Sequence, residues 1–66
     1  MSVAKVLEIT ASSTVGTDDA VKQGIAKAAE TVHGITGAWV KDTQVVIENN
    51  AITEWRVNLK ITFVLE

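Results

Sequence analysis

The end of the chain carries a period-two pattern, because every second side chain from Trp55 to Leu65 is apolar and those between them are mostly polar. The apolar members are Trp55, Val57, Leu59, Ile61, Phe63 and Leu65. Residues two apart lie on the same face of a β-strand, so the pattern predicts a strand with one core face and one polar face. With only 66 residues in the sequence, this strand must be a principal element of one small domain, predicted over residues 1–66.

Two elements and a loop are predicted at the start of the chain. Imperfect alternation indicates a strand over Val3–Thr10, and the small polar stretch Ala11–Gly16 indicates a loop. Thr17 is expected to cap a helix that runs to His33, with Gly34 as its C-terminal cap. The apolar stripe of this helix is Val21, Ile25, Ala28 and Val32.

A second strand is predicted from about Ala38 to Glu48, followed by a hairpin turn at Asn49-Asn50, since asparagine tolerates the positive φ angles of such turns. The element order is therefore β-α-β-β, an α+β fold. A right-handed crossover and an antiparallel third strand predict a three-stranded antiparallel sheet in the order 1-3-2, wrapped around one helix. One helix cannot cover both faces, so the other face meets solvent or a partner.

Composition excludes several classes of function. The net charge is −2 and no run of Lys or Arg occurs, which argues against binding to nucleic acid or to an anionic membrane surface. The absence of Cys excludes disulfides and thiolate chemistry and favours a cytoplasmic protein. No apolar run is long enough to span a bilayer and no signal-peptide pattern follows Met1, so the chain is expected to be unprocessed.

The size of the chain predicts self-association. Domains this small usually need disulfides, a metal or subunit contacts for stability. A sequence without Cys and with a single His has only the third route readily available. The hydrophobic content of 47% agrees, because so short a chain has little interior in which to bury it.

The sequence offers no catalytic set. His33 has no partner nucleophile or ligand cluster, and a position near a helix end explains it. Capping and loop solubility explain Ser12 and Ser13, and dipole stabilisation explains Asp18 and Asp19. No enzyme, catalytic residue or metal ligand is predicted.

The sequence allows more than one role for each of Trp39 and Arg56. Without a bulge, Trp39 shares a strand face with Gly37 and lies opposite to Val40, where it is a subunit contact, a stacking platform for a planar ligand, or a packing residue. Arg56 is either a solvated side chain or a group that binds an anion or an acidic side chain across an interface. Trp55 is in phase with the core face, and packing is its expected role.

The whole chain resembles the dodecins. The resemblance rests on Val-Leu-Glu-Ile-Thr-Ala-Ser-Ser at 6–13, Ile-Ala-Lys-Ala at 25–28 and Ile-Thr-Phe-Val-Leu-Glu at 61–66, together with the β-α-β-β order. It implies a hollow homododecamer without catalytic turnover, in which flavins sit in stacked pairs between symmetry-related subunits.

The resemblance also implies where a flavin site would lie. The family's stacking tryptophan falls on Gly37 and its hydrogen-bonding glutamine falls on Arg56. Arginines that many bacterial members carry fall on Gln44 and Val64. The candidate cofactor-binding residues are Gly37, Trp39, Gln44 and Arg56.

The predicted function is storage of a flavin-type cofactor, FMN or riboflavin, in a homododecamer with a degenerate site. The alternative is a flavin-free cage that binds cations or anions at subunit interfaces.

Overall fold

A computed structural model describes residues 3–65 and contains one helix and three strands. In chain order they are β1 (Val3–Ser13), α1 (Thr17–Ala29), β2 (Ile35–Glu48) and β3 (Ala51–Leu65). The strands form one antiparallel sheet in the order β1-β3-β2, so the predicted fold class and strand order are confirmed.

The core lies between α1 and one face of the sheet. Val57, Leu59 and Ile61 of β3 are fully buried there, as the alternation in the sequence predicts. Ala20 of α1 is also buried, and Gly24 is placed so that an added Cβ would lie 2.9 Å from the Cβ of Ala11. The helix can therefore approach the sheet closely because its contact face contains such small residues.

The hairpin between β2 and β3 is closed by the predicted turn. Asn49 has a φ of 53° and Asn50 a φ of 64°, and Glu48 pairs with Ala51 across them. Two successive positive φ angles in a two-residue loop are the features of a type I′ turn, whose twist matches that of the flanking strands.

The predicted ends of the helix are wrong. Gly16, not Thr17, is the N-cap, and Thr17 is the first helical residue. The helix ends at Ala29 with Glu30 as C-cap, so His33 lies beyond it and does not complement its dipole. The chain leaves the helix early because β2 begins at Ile35, and the backbone must first turn back towards the sheet.

The first strand is three residues longer than predicted. Ala11, Ser12 and Ser13 were predicted in the loop, but they pair with residues 57, 56 and 55 of the long third strand. Ser13 is buried, its Oγ accepts a hydrogen bond from the Val15 N–H at 2.9 Å, and it donates to Asp19 Oδ2 at 2.6 Å. This serine therefore fixes the turn into α1.

Gly34 is needed at its position in the connection to β2. Its φ is +79°, and a Cβ added there would lie 3.0 Å from the carbonyl oxygen of Val64. Gly34→Ala is expected to lower the free energy of unfolding by about 1–2 kcal/mol, measured by urea denaturation, because an L-residue is strained in this conformation. Gly37→Ala is the matched control, since nothing lies within 4 Å of its added Cβ. An equal loss of unfolding free energy in Gly34→Ala and Gly37→Ala would contradict the requirement for glycine at position 34.

The helix leaves the β2 side of the sheet largely uncovered. It packs mainly on β1 and β3 and makes few contacts with β2. Val40, Val45, Ile47 and Ile52 are consequently exposed, Ile47 by 60%. A single chain therefore presents apolar surface along the β2–β3 hairpin.

Candidate ligand-binding face

The sheet face that points away from α1, called the outer face below, carries the polar set of β3. Because Val57, Leu59 and Ile61 point towards the helix, the residues between them point the other way. Residues paired across antiparallel strands share a face, so the register adds partners from β1 and β2. The resulting rows are Val6–Thr62–Gly37, Glu8–Lys60–Trp39, Thr10–Asn58–Asp42 and Ser12–Arg56–Gln44.

A bulge in β2 decides which of its residues reach the outer face. The register shifts between Val40 and Asp42, so Lys41 is an extra residue in this strand. Beyond the bulge the alternation is reversed, and Gln44 lies on the same face as Trp39 although the two are an odd number of residues apart.

The side chain of Trp39 is exposed on the outer face. Its side chain is 65% exposed, and the Lys60 Nζ lies 5.3 Å from the centre of its ring. This distance is within the range of a cation–π contact. The expected common face of Gly37 and Trp39 is confirmed, because no register shift separates them, and Val40 points to the opposite face.

Gly37 leaves an open space next to this ring. It pairs with Thr62, and nothing lies within 4 Å of a Cβ built on it. Its φ is outside the left-handed region, so its backbone accepts any L-residue.

The middle of the outer face is a hydrogen-bonded row. Thr10 Oγ1 donates to Asn58 Oδ1 at 2.9 Å, and Asn58 Nδ2 donates to Asp42 Oδ2 at 3.2 Å. These contacts join side chains of all three strands. They hold in place the row that lies between the row of Trp39 and the row of Arg56. Sequence reasoning missed this row, since only the register brings its members together.

Arg56 and Gln44 lie at the other end of the face, directly opposite each other. Arg56 Nη2 is 3.4 Å from Glu54 Oε2, which is longer than a strong charge-assisted hydrogen bond. Both the arginine and Gln44 are exposed. The guanidinium therefore keeps donors that point to solvent.

The four predicted site residues form two separate pairs. Thr62, the partner of Gly37, is six residues along β3 from Arg56, a distance of about 20 Å at roughly 3.3 Å per residue. The structure brings Gly37 to Trp39 and Gln44 to Arg56. The nearest rows of the two pairs, at Lys60 and Arg56, are four residues apart along β3, about 13 Å at roughly 3.3 Å per residue, so the two pairs lie at separate places on one face. Their role in binding a cofactor stays a prediction.

His33 and the acidic side chains form no metal-binding cluster within residues 3–65. His33 is exposed. Residues 3–65 contain no group of three or more His, Asp and Glu side chains placed to hold a metal ion. Within the same range, no helix combines the length and the apolar character required to cross a bilayer.

The fold and the whole length of the described chain match one protein family. A family model described as Dodecin covers residues 3–66. The chain belongs to the dodecin family. The dodecin from Streptomyces davaonensis has a TM-score of 0.94 and 28% sequence identity, with 98% of this chain and 96% of that chain covered.

Two other dodecin structures extend the comparison. A single-residue variant of the Thermus thermophilus dodecin has a TM-score of 0.95 and 27% identity, covering all of this chain and 98% of that one. A calcium dodecin from Mycobacterium tuberculosis, described as a calcium-chelating antigen, has a TM-score of 0.84 and 22% identity, covering 97% and 91%. The latter likeness concerns the fold alone. Among curated protein sequences, none matches the chain.

Proposed function

We propose that this dodecin is a non-enzymatic binding protein for a flavin-type cofactor, FMN or riboflavin, held on the outer face between subunits of a homododecamer. The observation that carries the proposal is the exposed Trp39 beside the open space at Gly37. A large aromatic ring exposed on a polar sheet face is a stacking surface for a planar ligand. The dodecin family is known for flavin binding, which agrees with this chemistry.

The residues fit a flavin in part. Trp39 offers a ring for stacking, and Gln44 and Arg56 offer hydrogen-bond donors for the polar edge of an isoalloxazine. The position of the family's stacking tryptophan, however, is Gly37, so a ring bound in the family's usual pose lacks its closest aromatic partner. We therefore propose a degenerate site with weakened affinity.

The separation of the two pairs favours a site that is shared between subunits. The rows of Gly37 and Arg56 are about 20 Å apart along β3 at roughly 3.3 Å per residue, so we propose that one flavin contacts the Gly37–Trp39 pair of one subunit and the Gln44–Arg56 pair of another. The uncovered apolar residues of the β2–β3 hairpin support such an assembly, since exposed apolar surface on a small domain favours association. We propose that this oligomer is cytoplasmic, because the sequence contains no Cys.

The test is a titration of riboflavin and FMN fluorescence with purified protein, run beside light scattering for mass. We expect quenching on a particle of about twelve chains, with dissociation constants in the micromolar range. A monomeric particle would contradict the assembly. The same large particle without quenching would contradict flavin binding and favour the alternative, a flavin-free cage that binds cations or anions at its interfaces.

A further inference from the structure

Lys60 occupies a position on the outer face that the flavin proposal does not use. It lies on β3 with Glu8 directly opposite on β1 and Trp39 directly opposite on β2. Its ammonium lies over the Trp39 ring at 5.3 Å, while Glu8 pairs at 3.9 Å with Lys41 of the bulge. None of the ion pairs formed within residues 3–65 includes Lys60.

We infer that Lys60 makes the Trp39 ring selective for planar ligands that carry a negative charge. This inference rests on the proposed function, because it concerns which planar ligand the same face accepts. The ammonium is attracted by the negative face of the indole, and it has no carboxylate partner in the described chain that already neutralises it. It is therefore available to an anionic group of a ligand that reaches the ring.

Neutral and anionic ligands are expected to bind the Trp39 ring with different affinities. A neutral ring that stacks on the side covered by Lys60 must displace the ammonium and loses the cation–π contact. An anionic ligand offers the displaced ammonium a new partner. Lys60 is only partly exposed, so this pairing is screened less than between two fully solvated groups.

The approach to the ring from the Gly37 side is open. Nothing lies within 4 Å of a Cβ added at Gly37, and the neighbouring Thr62 is a small polar residue. A ligand ring can enter above Gly37 with its charged substituent directed to Lys60. Trp39 supplies the stacking surface, and Lys60 is the residue that determines specificity.

The test compares FMN with riboflavin, which share one ring system and differ by a phosphate. Dissociation constants are measured by flavin fluorescence at low ionic strength for the wild type, Lys60→Met and Lys22→Met. Lys22 is an exposed lysine of α1, so its variant controls for the loss of one positive charge away from the outer face. Circular dichroism verifies that each variant is folded.

We expect the wild type to bind FMN about five-fold more tightly than riboflavin. Lys60→Met should bring this ratio close to one by weakening FMN binding, and Lys22→Met should leave it unchanged. Equal binding of both flavins by the wild type, or an unchanged ratio in Lys60→Met, overturns the inference while flavin binding stands. If the wild type quenches neither flavin, the proposed function fails and the inference fails with it.

Discussion

Gly37→Trp is expected to tighten flavin binding by roughly 5- to 150-fold. Stacking of a base on an aromatic side chain is worth about 1–3 kcal/mol, and the same range applied to a flavin ring gives this change in the dissociation constant. The structure accepts the substitution because the space around the position is open and its φ is not left-handed. Titration of riboflavin fluorescence with the variant and the wild type measures the change.

Gly37→Leu is the control for this experiment. It fills the same open space with an apolar side chain but offers no ring. If leucine and tryptophan tighten binding equally, contact area and not stacking is responsible. If tryptophan leaves the affinity unchanged in a correctly assembled particle, the ligand does not bind over this position, and the carry-over of the family's site to Gly37 is wrong.

Leu59→Ala is expected to lower the free energy of unfolding by about 2–5 kcal/mol, measured by urea denaturation at a fixed protein concentration. Leu59 is 1% exposed at the centre of β3 and belongs to the cluster of Ala20, Val57 and Ile61. Truncation removes buried apolar atoms and leaves a cavity that the sheet and helix cannot fully close. In so small a domain this is a large part of the total stability.

Val15→Ala is the matched control for the core variant. Val15 is 76% exposed in the turn before α1, so removing its two methyl groups should change the free energy of unfolding by no more than about 0.5 kcal/mol. Comparable losses in the two variants would mean that assembly buries Val15 as deeply as the core buries Leu59. Light scattering on the variant would then reveal a smaller particle.

The features predicted well were those with a local physical cause. The alternation around Leu59 and Ile61 fixes which side of β3 is buried, since a strand has a period of two. The Asn49-Asn50 pair fixes the turn, because few other residues accept positive φ twice in succession. These two signals suffice for the hairpin, and the helix between two strands then limits the sheet order.

The features predicted poorly were those determined by contacts with a distant part of the chain. β1 continues to Ser13 because β3 is long enough to pair with it, although the segment from Ala11 has the composition of a loop. The helix ends at Ala29 although the apolar stripe continues to Val32. For β1, pairing with β3 outweighs the weak local preference for a loop. For α1, the return of the chain to the sheet outweighs the weak local preference for helix.

The sequence by itself determined the dodecin fold and the polar outer face, and it predicts that Gly37 and Arg56 stand where the family has its tryptophan and glutamine. Only the tertiary structure decided that Gln44 shares a face with Trp39, because simple alternation places them on opposite faces and the bulge at Lys41 reverses it. The structure also decided that Lys60 covers Trp39 and that Arg56 lies far from Gly37. Register and bulges arise from pairing between distant segments, and a local pattern does not encode them.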